Sequence, residues 1–258
     1  MPSEPRFFAW HHLQTRIPAA WEVTLYGKDP AFGTLAFSTR HGLCAEFHWR
    51  KRGRKRTKKP ETDPWRTFEE GDGGLIANCT RVDPPVDLTW EFTPLGAEHA
   101  PAVLAATREN RGDTREYTLH GIHARVSKTY DLDKVQAYPA NTMIGFAGPH
   151  GARMVYRRWG LPAYILHGKS VPDFFQRLLT TEGMRIGEVE PCKFHGHEAT
   201  RVVFSNRGLT PMARLLTRRA HGHGWIWHEV ENKRLCTFEQ IVPAGVALPA
   251  GEGCVGDV

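Results

Sequence analysis

A chain of 258 residues with 40% apolar and 10% aromatic side chains holds enough hydrophobic surface for one large or two small packed domains, which excludes a disordered protein. Its 34 Lys and Arg against 28 Asp and Glu give a net charge of +6, yet eight of the positive charges lie in the ten residues from Arg50 to Lys59, so the rest of the chain is slightly negative. No apolar run approaches the ~18 residues of a membrane helix, the polar N-terminus lacks the layout of a secretory signal, and Cys44, Cys79, Cys192, Cys236 and Cys254 form neither a Cys-x-x-Cys pair nor a disulfide framework; a soluble, cytoplasmic protein is expected.

The first fifty residues read as extended. Trp21 to Tyr26 alternates Trp21, Val23 and Leu25 against Glu22 and Thr24, and Thr34–Phe37 and Leu43–Trp49 follow after glycine-containing breaks, which predicts a three-stranded antiparallel meander. The basic run, Arg50, Lys51, Arg52, Arg54, Lys55, Arg56, Lys58 and Lys59, starts directly after Trp49. It is expected to leave a strand end as a loop over 50–60, because like charges this dense stay in water unless a matching set of acids accompanies them. The segment from Glu61 to Pro85 is rich in Gly, Asp and Pro and reads as loop, Leu88–Phe92 as a strand, Glu98–Arg108 as a short helix starting near Pro101, and Tyr117–Leu119 and Ala124–Val126 as strands about a turn.

In the second half Ser170, Pro172 and Asp173 form a helix start and Gly183 a stop, with Val171, Phe174, Phe175, Leu178 and Leu179 on one apolar stripe. A sheet for that helix is supplied by Ala199–Phe204, Met212–Arg219, Gly224–Val230 and Arg234–Ile241, with Glu231-Asn-Lys233 as a hairpin loop. Residues 246–258 read as a flexible tail. Leu119-His-Gly-Ile-His-Ala124 and Phe194-His-Gly-His-Glu-Ala199 share a pattern. The expected fold is therefore α+β, antiparallel sheets each flanked by one or two helices, arranged as two related units over 1–140 and 141–245, with a single mixed domain as the rival.

The segment Ile17-Pro-Ala-Ala-Trp21-Glu22 and the closing hairpin through Trp227 and Phe238 resemble the PsbP-like α+β family, over about half of the chain. That resemblance implies a binding or assembly factor rather than an enzyme, and carries no catalytic residues with it.

Fourteen histidines raise the question of a metal, since Cys192, His195, His197, His221, His223, His228 and Cys236 fall close together and imidazole and thiolate are zinc's usual ligands. Alternation in a strand turns His228 away from His221 and His223, so one ion cannot readily collect all three. Four imidazoles, His195, His197, His221 and His223, meet only if two turns share one end of a sheet; polar turn and strand-edge positions are the favoured account of them. No helical zinc motif, nucleophile elbow or phosphate-binding loop is present. Trp49 and Trp65 flank the basic run as candidate stacking platforms, though Trp49 at a strand end is better placed as core, and Arg157-Arg158 and Arg218-Arg219 are candidate extensions of the patch. The leading expectation is a non-enzymatic protein that uses the basic loop on nucleic acid or another acidic partner, without a cofactor; the alternative is a metal-dependent hydrolase or nuclease built on the four histidines, with zinc as the candidate metal.

Overall fold

The structure, a computed structural model, describes residues 4–51, 65–69, 72–82, 85–110, 112–138, 140–206 and 220–243. The chain divides into two compact units, Met1–His120 and Gly121–Asp257. The predicted strand over 212–219 and the tail over 246–258 lie outside the described residues.

In the first unit the order is β1 (Arg6–Trp10), β2 (Leu13–Ile17), β3 (Glu22–Tyr26), β4 (Phe32–Thr39), β5 (Gly42–Lys51), β6 (Arg66–Glu69), β7 (Leu75–Val82), β8 (Pro85–Phe92), α1 (Ala100–Ala106), β9 (Arg108–Glu109) and β10 (Thr114–Leu119). A six-stranded sheet, β3-β4-β5-β8-β7-β6, is antiparallel throughout, and β1-β2-β9 form a smaller one. Alternation along the central strands β5 and β8 divides the larger sheet into two chemically different faces. Phe37, Phe47, Trp49, Trp90 and Phe92 are buried on one face, where Phe37 meets Phe8 of β1 edge-on with centroids 5.1 Å apart and Phe47 lies 5.0 Å from Trp90. Each buried phenylalanine contributes about 1.5–3 kcal/mol through removal from water. The other face carries Thr34, Glu46, His48, Thr89 and Glu91, all half-buried or exposed.

In the second unit the order is β11 (Ile122–Ser127), β12 (Asp131–Tyr138), β13 (Asn141–Ala147), β14 (Arg153–Gly160), α2 (Pro162–Leu166), α3 (Val171–Thr181), β15 (Met184–Phe194), β16 (His197–Asn206), β17 (Ala220–Glu229) and β18 (Arg234–Pro243). Seven of these strands pair as β12-β13-β14-β18-β17-β16-β15. The predicted helix α3 forms as the sequence dictates: Ser170 accepts a hydrogen bond from the Asp173 amide at 3.2 Å, and Phe175 and Leu179 of its apolar stripe are fully buried against Val202, Phe204 and Ile226. Gly224 in β17 makes the close approach feasible, because a Cβ there would stand 2.5 Å from the Phe175 ring.

The expectation of an α+β fold is overturned. Among the described residues eighteen strands stand against three short α-helices, so the molecule is a mostly antiparallel β protein and its sheets are not each flanked by helices. The physical reason is that aromatic sheet faces and a second sheet supply the core that helices were expected to supply, while one face of the six-stranded sheet is polar enough to need no cover. The shared pattern about His120 and His195 has a local cause as well. His120 and Gly121 take φ of 45° and 79°, and His195 and Gly196 take 48° and 81°, so both are left-handed two-residue turns of the kind that joins hairpin strands and prefers glycine second. Among the described residues no helix is long and apolar enough to cross a membrane.

Candidate functional site

The basic run begins inside β5, whose alternation sends Phe47 and Trp49 inward and Glu46, His48 and Arg50 to the polar face. Arg50 and Lys51 are exposed, and neither forms an ion pair among the described residues; the Lys51 amide donates to the Ala31 carbonyl at 2.6 Å, which fixes the strand up to that point. Arg52, Arg54, Lys55, Arg56, Lys58 and Lys59 lie outside the described residues. Trp49 is core, 2% exposed, with its indole N–H donating to the Asp29 carbonyl at 2.9 Å and its ring against Gly33, so it is not a stacking platform; Trp65 is half-buried. Arg157 is likewise no part of an exposed patch, because its guanidinium is turned inward on carboxylates, and Arg218 and Arg219 lie outside the described residues.

The four histidines do not meet. His195 occupies the β15–β16 turn and His197 opens β16, whereas His221 and His223 pair with Ser205 and Val203 near the far end of the same strand. Six residues separate His197 from Val203, about 20 Å of extended chain. The His197 ring lies parallel to Trp227 with centroids 6.3 Å apart. His223 stands beside Arg201, and its pKa is lowered by burial and then by that guanidinium and His221. The two cysteines of the predicted set are held as thiols: burial and Glu229 push Cys236 far up, and burial with Glu190 raises Cys192.

Instead, one cluster of metal-ligating groups comes together on the polar face of the first unit. Glu46 of β5 is directly opposite Glu91 of β8, and His48 is two residues along on the same face, opposite Thr34 of β4 and Thr89 of β8. One ligand atom from each of Glu46, His48 and Glu91 falls within 4.8 Å of the others. The His48 Nε2 lies 3.9 Å from Glu46 and 3.6 Å from Glu91, while its Nδ1 is 2.9 Å from the Thr34 hydroxyl. Sequence reasoning missed this group because Glu-x-His in a strand becomes a site only when the neighbouring strand adds Glu91 in register.

A second concentration of charge lines a cleft of about 460 Å³ in the second unit, beside α3. Arg157 donates to both oxygens of Glu182 at 2.7 and 3.0 Å, and to Glu239 at 3.4 Å. Glu239 is 1% exposed, and burial raises its carboxyl to about 7 despite the opposing pull of Arg157. Burial lowers the Arg157 pKa, but Glu239 and Glu182 together more than offset this and hold it above the usual value.

No family model matches this chain, and no curated protein matches it. Among solved structures, it is similar to the immunity protein TplEi of T6SS from Pseudomonas aeruginosa complexed with an "L" peptide, at 12% identity over 90% of each chain with a TM-score of 0.31. The apo structure of the same immunity protein gives 11% identity over 89% of this chain and 90% of that one, with a TM-score of 0.28. Likenesses at this level assign no function.

Proposed function

We propose that the protein is a non-enzymatic binding or assembly protein whose basic segment, Arg50 to Lys59, contacts nucleic acid. The observation that carries this reading is charge density: eight cations in ten residues on a chain whose remainder is slightly negative. A cationic segment neutralises phosphates and releases the counterions condensed on them, which yields affinity without sequence preference. Two features support it. β5 holds Arg50 and Lys51 at the end of a paired strand, and both are exposed and unpaired with acids among the described residues. The four histidines of the alternative hydrolase reading are divided between two ends of a strand.

The test is binding of single- and double-stranded nucleic acid by the wild type and by a variant with residues 50–59 replaced by Gly and Ser. The wild type is expected to bind at low salt and the variant to lose at least tenfold in affinity. Equal binding removes the proposal, and binding of the wild type to an acidic protein but to neither nucleic acid moves the partner to that class.

A further inference from the structure

We propose that Glu46, His48 and Glu91 bind one divalent transition-metal ion of the zinc class on the polar face of the six-stranded sheet. The donor set is one imidazole nitrogen and two carboxylate oxygens, the mixture that suits zinc and its neighbours and is poorly matched to the all-oxygen preference of calcium or magnesium. Three protein ligands leave a fourth, solvent-facing position for water.

The geometry carries the inference further than the residue types do. Two ligands at about 2.0–2.1 Å from a tetrahedral ion stand roughly 3.3 Å apart. The observed separations from His48 Nε2 are 3.6 and 3.9 Å, so each carboxylate needs to close on the imidazole by only a few tenths of an ångström, and all three ligand atoms lie within 4.8 Å of one another. Those same distances are too long for hydrogen bonds. His48 Nε2 is shielded from solvent and has no hydrogen-bond partner, although the ring as a whole is half-buried. A nitrogen withheld from water and aimed between two carboxylates is left with its lone pair for an ion.

The other ring nitrogen is occupied: Nδ1 lies 2.9 Å from Thr34 Oγ1. A threonine hydroxyl can accept as well as donate, so this contact accommodates the tautomer with its proton on Nδ1, in which Nε2 is free to coordinate, the outer-shell arrangement usual for metal-binding histidines. Backbone pairing supplies the rigidity, since Glu46 and Glu91 are cross-strand partners and Thr34 is the cross-strand partner of His48.

Calorimetric titration of zinc chloride into untagged, full-length protein tests the site, with E91Q, H48A and T34V beside the wild type and with H195A/H197A and H221A/H223A as controls. One equivalent is expected to bind to the wild type, at least tenfold more weakly to E91Q and H48A and about tenfold more weakly to T34V, with both controls unchanged. Glu91 is exposed and glutamine is its near-isostere, so E91Q keeps the fold and remains informative if H48A does not. Absence of zinc binding by the wild type, equal affinity in E91Q, or loss of binding in either control overturns the proposal. Detection of His48 as an imidazolium that zinc does not displace, with nitrogen-15 shifts of its ring unchanged by the metal, also overturns it.

Discussion

Two charge clusters in this molecule are built on opposite principles. In the second unit Arg157 is held between Glu182 and Glu239, with its guanidinium matched to one carboxylate by two bonds and to the other by a third. That cluster closes on itself: a buried cation meets two acids, one of which keeps a proton up to about neutral pH. In the first unit Glu46 and Glu91 are neighbours on adjacent strands with His48 two residues along on the same face, and no hydrogen bond links the three. Charge satisfied from within is part of the structure, whereas carboxylates left converging at a surface are available to something from outside.

Proton uptake gives the largest way to separate the units. In the first, burial reinforced by His12 pushes the His11 pKa down to about 3, against 6.5 for a free imidazole. The unfolded chain takes up that proton at the higher pH, so the stability His11 contributes is full above about 6.5 and is lost as pH falls toward 3. The loss is on the order of 4–5 kcal/mol for this group. His11→Asn, which tolerates the φ of 39°, should flatten that limb in hydrogen exchange of the first unit.

Arg157→Leu comes next. It leaves Glu239 buried without its cation and should cost about 3–4 kcal/mol above neutral pH, measured by denaturant unfolding, with a smaller cost in acid where Glu239 is protonated. Glu239 itself gives the mirror image of His11. Its folded pKa of about 7 lies above the ordinary 4.5, so its contribution is full below 4.5 and is lost as pH rises through 7, on the order of 3 kcal/mol. Glu239→Gln should abolish that dependence and leave the second unit more stable at pH 8.

The smaller effects sharpen the contrast. Ser170→Ala removes the cap of α3, the helix whose C-terminal end brings Glu182 to Arg157, and should destabilise the second unit by about 1 kcal/mol. Glu91→Gln, in metal-free protein, should change the melting free energy by less than about 0.5 kcal/mol, because its carboxylate is exposed and its contact with His48, at 3.6 Å, is a surface one. A loss of several kcal/mol there would make the first cluster structural after all.

What the sequence revealed follows from how local each signal is. The helix α3 was legible from Ser170, Pro172 and five apolar positions at helical spacing, and each performs the role its spacing implies. The strand of β5 and the inward Trp49 were legible, but the strand was expected to end there and the basic loop to begin at residue 50, whereas β5 runs on through Arg50 and Lys51, paired with Asp87 and Val86. By contrast β6 and β7 were hidden in a stretch whose Gly and Asp residues read as loop, and β15 was hidden by Pro191 and scattered charge, which an edge strand tolerates. The cluster of Glu46, His48 and Glu91 depends on strand pairing between residues more than forty positions apart, which no local pattern encodes. The histidine density was visible but misleading: His120 and His195 stand where left-handed turns require a tolerant residue before glycine, and His221 and His223 follow the sheet's alternation at the other end from His197.

The salt dependence of nucleic-acid binding tests the central claim most directly. For eight cations engaged on duplex DNA the logarithm of the binding constant should fall with the logarithm of salt concentration at a slope of roughly −7, and replacement of residues 50–59 by Gly and Ser should remove most of that slope. A slope near zero in the wild type, or the same slope in both proteins, would contradict the account.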